Sequence, residues 1–328
     1  MSVRKKVAVT FFCLLLAVLC AAPLWVLPVF GAAFPRNSHE NDYTAAIVDK
    51  YDRLNSLTGK KIVFVGGSSL PFGLRCDLIE AETGYKAVDF GLYAALGTVV
   101  MMDLSLSGIK EGDIVILAPE TDPQLYSDFF TPRLFCTSIG NRIDLLSWLS
   151  PARRKQARLA YYPSLFERIR QRNDPRVPDT EVYARSNLNE YGDMAYTRGD
   201  ENRMFKRGYY DDSKLVYLDV LLNQDFFDEV NAYAKKVREK GATLLFWFSP
   251  INQLAVRFSD EEAATFMTRL KDALDCPILG SVTETVYDEK YFFDTNYHLN
   301  DAGAEMHTEK TVAKILQYLE TNAANSSN

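Results

Sequence analysis

Two short stretches carry residues able to move protons and attack a carbonyl. The first is "VGGSSL", residues 65–70, where the apolar run "KIVFV" ends on two glycines and two serines. The second is "YFFDTNYHLNDAG", residues 291–303, where Asp294 stands four positions before His298. A serine hydroxyl is a weak nucleophile until a base takes its proton. A histidine with a carboxylate close by supplies that base, because the carboxylate orients the imidazole and stabilises its charge. Histidine is scarce, with three in the chain. His39 follows the apolar N-terminal stretch, and His307 falls in the last helical segment, where packing is its expected role. The expected chemistry is therefore attack by a serine, with His298 as base and Asp294 as its orienting partner. The plainer alternative is a tight turn at the serines and a loop histidine that bonds only locally.

Such a pair needs elements that bring residues 68 and 298 together. Continuous apolar runs predict strands at 61–66, 86–91, 113–118 and 243–248, with a short one near 277–280. Runs without alternation suit strands covered on both faces. Helical patterns fall between them at about 72–83, 94–108, 213–240, 260–274 and 300–321, with a linking helix within 36–60. The "DDSKLVYLDVLLNQDFFDEVNAYAKKVREKG" segment opens on acidic capping residues and closes on Lys, Arg and Gly, which are helix start and stop signals. Alternation of this kind predicts an α/β fold in three layers, with a parallel sheet of about five strands and helices on both faces. Open sheets of that type keep ligands beyond the carboxyl ends of the strands, where Ser68 would stand. Residues 124–212, rich in Tyr, Arg, Asn and Asp, break the rhythm and read as an insertion that shapes the site. The last residues, 323–328, read as a frayed tail.

A serine after the first core strand, with Asp and His together before the last helix, resembles the SGNH or GDSL superfamily of serine esterases and acyltransferases, whose fold is flavodoxin-like. The likeness covers about residues 40–320 and is weak across the insertion, so the SGNH-like domain is expected at 61–322. It implies Ser68 as nucleophile, with Gly66 and Gly67 in the Gly-Asp places; reading "GSSL" as the block would make Ser69 the nucleophile. It also implies an oxyanion hole from the amides of Ser68 and of Gly91 in "VDFGLYAALG". The family's Gly-x-Asn-Asp block is replaced by "LAPETD", which puts Glu120 where an asparagine donor would stand; Asn189 is the substitute considered. Asp294 and His298 are separated by three residues where the family has two. Gly67, Glu120 and Asn296 are expected to line the site.

"GGSS", "PE" and "YHLN" are similar to a membrane-anchored bacterial branch that includes D-alanine transfer and alginate acetylation proteins. That likeness implies an acyl ester of a cell-envelope polysaccharide or an acylated small molecule as substrate, and a membrane-bound O-acyltransferase as partner. Hydrolase and transferase stay open, since both pass through an acyl-serine. A non-catalytic shell binding a polymer or a membrane partner is the alternative.

Arg4, Lys5 and Lys6 precede an uncharged stretch from Val7 to Phe34, long enough for the ~20 residues that span a bilayer. A basic flank belongs on the cytoplasmic side, so residues 1–35 predict an N-terminal transmembrane helix with the rest outside the cytoplasm. A cleaved signal peptide ending near Ala33, giving a secreted protein, is the other reading. The net charge of −6 and pI near 5.3 oppose nucleic-acid binding, which needs a basic face. The basic cluster "PARRKQAR" at 151–158 reads as a solvated helix face, with contact to anionic lipid or polymer as the lesser reading. The serines lack the lysine of a phosphate-binding loop and the glycine spacing of a dinucleotide fingerprint. No cofactor or catalytic metal is expected, and the cysteines match no zinc spacing.

Overall fold

The structure, a computed structural model, describes residues 5–7, 9–18, 39–121, 129–171, 181–206 and 215–326. Its centre is a parallel sheet of four strands: β1 (Lys61–Gly66), β2 (Lys86–Gly91), β3 (Ile114–Ala118) and β4 (Thr243–Phe246). Their order is β2-β1-β3-β4. Val63 pairs with Val88 on one side and Val115 on the other. Every residue of β1 and β3 is buried, so both faces of the sheet are covered, and this is why these runs are apolar without alternation. Phe64 and Ile116 have no exposed surface, and burial of each stabilises the fold by about 1.5–3 kcal/mol. β2 and β3 leave β1 on opposite sides, which opens a crevice between the carboxyl ends of β1 and β3, the place where such sheets hold ligands.

The helices are α1 (Ile47–Ser56), α2 (Ser69–Gly73), α3 (Cys76–Thr83), α4 (Thr98–Ser105), α5 (Pro132–Ile139), α6 (Pro151–Gln171), α7 (Gln224–Glu239), α8 (Asp260–Ala273) and α9 (Asp301–Ser326). Local chemistry sets several ends. The Asn223 side chain caps α7, and Ser259 with Glu262 forms a capping box on α8. The single helix expected at 72–83 is split, because Leu74 is extended.

Two expectations about the fold are corrected. The sheet has four strands, not about five: the segment near 277–280 adds only one bridge, Phe246 to Ile278. Pro277, which has no N–H to donate, and Gly280, at φ +104°, confine it to that contact. The transmembrane helix is also overturned, since no helix among the described residues is long and apolar enough to cross a membrane. Of the residues in that expectation, 1–4, 8 and 19–35 lie outside the described ones.

The insertion contributes α5 and α6, which pack on each other and on the 3-10 turn Tyr43–Ala46 through α5. Parts of it, 122–128, 172–180 and 207–214, lie outside the described residues. The tail expected to fray continues α9 as far as Ser326. Cys76 and Cys136 are buried free thiols, and burial pushes both well up from the ordinary thiol range.

Candidate active site

β1 delivers Ser68 to the crevice two residues after its last strand position, at the head of α2. Gly67 allows this close turn, because a Cβ there would lie 2.7 Å from a Glu120 carboxylate oxygen. Asp294 and His298 come from a loop held shut from within. Phe293 N–H donates to the His298 carbonyl at 2.8 Å, the Thr295 hydroxyl accepts from His298 N–H at 3.1 Å, and Phe292 bridges to Leu299. This tight loop brings the two side chains together across three intervening residues. His298 Nδ1 lies 2.9 Å from Asp294 Oδ1, and Nε2 lies 2.8 Å from Ser68 Oγ. The arrangement suits an imidazole whose Nδ1–H donates to the carboxylate while Nε2 accepts the Ser68 hydroxyl proton.

Packing fixes the imidazole plane. Phe72 of α2 stacks on His298 with centroids 4.0 Å apart and 7° between planes. The Arg198 guanidinium sits 5.3 Å from the Phe72 centroid and pairs with Asp301. Tyr183, a residue the sequence reading missed, comes from the insertion. Its hydroxyl donates to Asp294 Oδ2 at 2.7 Å and lies 3.1 Å from His298 Nδ1. Burial, then the charge and hydrogen bond of Asp294, push the Tyr183 hydroxyl well above its ordinary range, so it stays a neutral donor. Burial alone would raise the Asp294 carboxyl. The hydrogen bond and charge of His298, with the bond from Tyr183, outweigh burial and hold it below its usual value.

The alternative nucleophile points elsewhere. Ser69 is fully buried, with Oγ 2.9 Å from Ser249 Oγ, and its N–H donates to Glu120 Oε1 at 2.7 Å. Glu120 is itself buried, and the same oxygen is 3.4 Å from Ser68 Oγ. Asn296 is buried in the histidine loop, where its carbonyl accepts Asn252 N–H. Two expected oxyanion donors are corrected. The Gly91 N–H is already donated to Asp89 Oδ1 at 2.7 Å. Asn189 is exposed, and its Oδ1 accepts the amides of Tyr191, Gly192 and Asp193, which makes it a turn former. It lines a separate cleft of about 210 Å³ with Asp49, Lys50 and Gly192.

Beside the site lies a second charged cluster, also missed. Lys50 of α1 is buried and donates to the carbonyls of Asp89 at 3.1 Å and Gly192 at 2.8 Å, with Asp89 Oδ1 3.4 Å away. Gly192, at φ +99°, permits this approach, since a Cβ would strike the Asp89 carbonyl and Lys50 Nζ. Asp193 accepts Cys76 N–H at the head of α3. Burial pushes the Asp89 carboxyl up to about 7, against the pull of Lys50. The other two histidines lie apart from the site. His307 is buried 2.9 Å from the Tyr287 hydroxyl, and burial pushes it down to about 3. His39 is fixed in the domain, with Nδ1 2.6 Å from Asp42. Among the described residues no three His, Cys, Asp or Glu side chains are grouped as metal ligands.

No family model matches this chain, and no curated protein matches it. Among solved structures it is similar to the crystal structure of protein YXIM from Bacillus subtilis, at 9% identity and a TM-score of 0.37. The match takes in 80% of this chain and spans 57% of the length of that one. A likeness of that degree assigns neither family nor activity.

Proposed function

We propose that this protein cleaves or transfers acyl esters through Ser68. The observation that carries this reading is the unbroken hydrogen-bonded chain from Ser68 Oγ through the His298 imidazole to Asp294. In the reaction Ser68 Oγ attacks the ester carbonyl as its proton passes to His298 Nε2. Asp294 stabilises the resulting imidazolium. His298 then returns the proton to the departing alkoxide, which leaves as the alcohol, and the acyl group stays on Ser68. Water or another hydroxyl, deprotonated by His298, attacks the acyl-serine and frees the enzyme. The motif likeness to SGNH esterases supports the same reaction class. It alone supports a cell-envelope polymer as acceptor and a membrane-bound O-acyltransferase as acyl supplier.

A second reading, a binding protein with an idle triad, has one observation in its favour. The Gly91 and Ser69 amides are bonded to carboxylates and not aimed at an open position for an oxyanion.

Intact-mass measurement of the full chain after a fluorophosphonate decides between them, with Ser68→Ala and Ser69→Ala alongside. One adduct, lost only in Ser68→Ala, is the expected result. An adduct that survives Ser68→Ala removes Ser68 from the role, and folded protein that takes up no probe supports the binding reading.

A further inference from the structure

Helix α6 has two apolar faces. Ala157, Tyr161 and Leu165 are buried inward. On the outer side Lys155, Leu159, Tyr162, Phe166 and Arg170 recur at steps of four and three, which aligns them in one stripe. Leu159 is 72% exposed and Phe166 57%, the highest values for large hydrophobic side chains among the described residues from 39 onward.

The charged residues on the stripe are all basic, and most of those beside it are too. Lys155, Arg158 and Arg170 are exposed, whereas Arg153 of the inner face is consumed by Asp103 and Glu229. The only carboxylate of the helix, Glu167, lies off the stripe and pairs with Arg133. This is a locally basic surface on a chain of net charge −6.

A basic polymer-binding face has no use for exposed Leu and Phe, because a polyanion offers them no apolar phase. A lipid surface takes both kinds of side chain, with apolar groups at the headgroup and acyl boundary and cations at the phosphates. We propose that the outer face of α6 rests on an anionic lipid surface, with Leu159 and Phe166 inserted and Lys155, Arg158 and Arg170 on the phosphates.

The test uses the full chain assembled with nanodiscs of phosphatidylcholine alone, or of phosphatidylcholine with phosphatidylglycerol. Hydroxyl-radical labelling of Leu159 and Phe166 is read by mass spectrometry. Labelling is expected to fall in the anionic discs, since each basic side chain near such a surface adds roughly fivefold to binding. The double variant Lys155→Glu, Arg158→Glu, with an unchanged melting temperature, should label alike in both discs. Equal labelling of the unaltered chain in both disc types overturns the proposal. Protection that is equal in both discs and in detergent, and that grows with protein concentration, also overturns it and assigns the face to a second copy. Protection in neutral discs by an added acidic polysaccharide, without any effect of phosphatidylglycerol, overturns it in favour of a polymer.

Discussion

The turn after β1 presents Ser68 to the loop of Asp294 and His298, while its neighbour β2 carries Asp89 against Lys50, with Asp193 bonded nearby to the head of α3. Both clusters are buried, charged and built partly from the insertion, yet their bonds run differently. In the first, the chain of donors leads to a hydroxyl, so a proton can travel along it. In the second, Lys50 and the carboxylates bond mostly to backbone: the carbonyls of Asp89 and Gly192 and the amides of Gly91 and Cys76. That cluster is a latch, fastening the 189–194 segment to β2 and α3. Charged groups of the same kind are thus arranged to pass a proton or to hold a loop according to whether their partners are side chains or peptide groups.

The contrast can be broken at either cluster. Asp294→Asn should lower kcat by roughly 10⁴-fold with little change in melting temperature, because it spoils the tautomer and the charge partner of His298. Lys50→Met should do the reverse. It leaves Asp89 and Asp193 buried without their cation and costs about 3–5 kcal/mol of stability, while probe labelling of the folded fraction persists.

The second loss has a pH signature. The folded Asp89 value of about 7 lies above the usual carboxylate value of about 3.9, so the folded state holds the extra proton in that window. Its contribution to stability is present at low pH and is lost as pH rises through about 7. Denaturant melts at two pH values should show Lys50→Met more damaged at the higher one.

Glu120→Gln tests whether the carboxylate on the Ser69 amide opposes a developing oxyanion. An amide there removes the like charge and offers an N–H, so ester turnover should rise by roughly tenfold. A fall would instead give Glu120 a positive role in substrate binding. The smallest effect is expected for Tyr183→Phe, a loss in kcat of roughly tenfold or less. With one donor gone, the Asp294 carboxyl moves up toward its ordinary range, so the loss of activity at the most acidic end of the pH–rate profile, where that carboxyl takes up a proton, should begin at higher pH. A purely structural tyrosine would leave that profile in place.

The hydrogen-bonded chain Ser68–His298–Asp294 was readable because its residues sit in local patterns. Ser68 follows an apolar run that stops at glycine, and Asp294 and His298 share one short loop. Four strands were equally plain, since burial on both faces writes itself as unbroken hydrophobicity. Tyr183 was hidden, because only the folded insertion brings it to Asp294, 111 residues away. Lys50 and Asp89 were hidden for the opposite reason. A lysine in an amphipathic helix reads as a surface residue, and an aspartate inside "KAVDFG" reads as an interruption; their pairing exists only in three dimensions. Gly91 and Asn189 were misplaced as oxyanion donors because a glycine or asparagine in a loop says nothing about where its polar groups are already spent.

Ser68 and His298 lie 230 positions apart. The last strand of the four-stranded sheet ends at Phe246, so the whole sheet precedes His298 in the order of synthesis. On the proposed function, Ser68 therefore gains its base only when the last stretch of the chain is made, and a product truncated before the histidine loop would lack it.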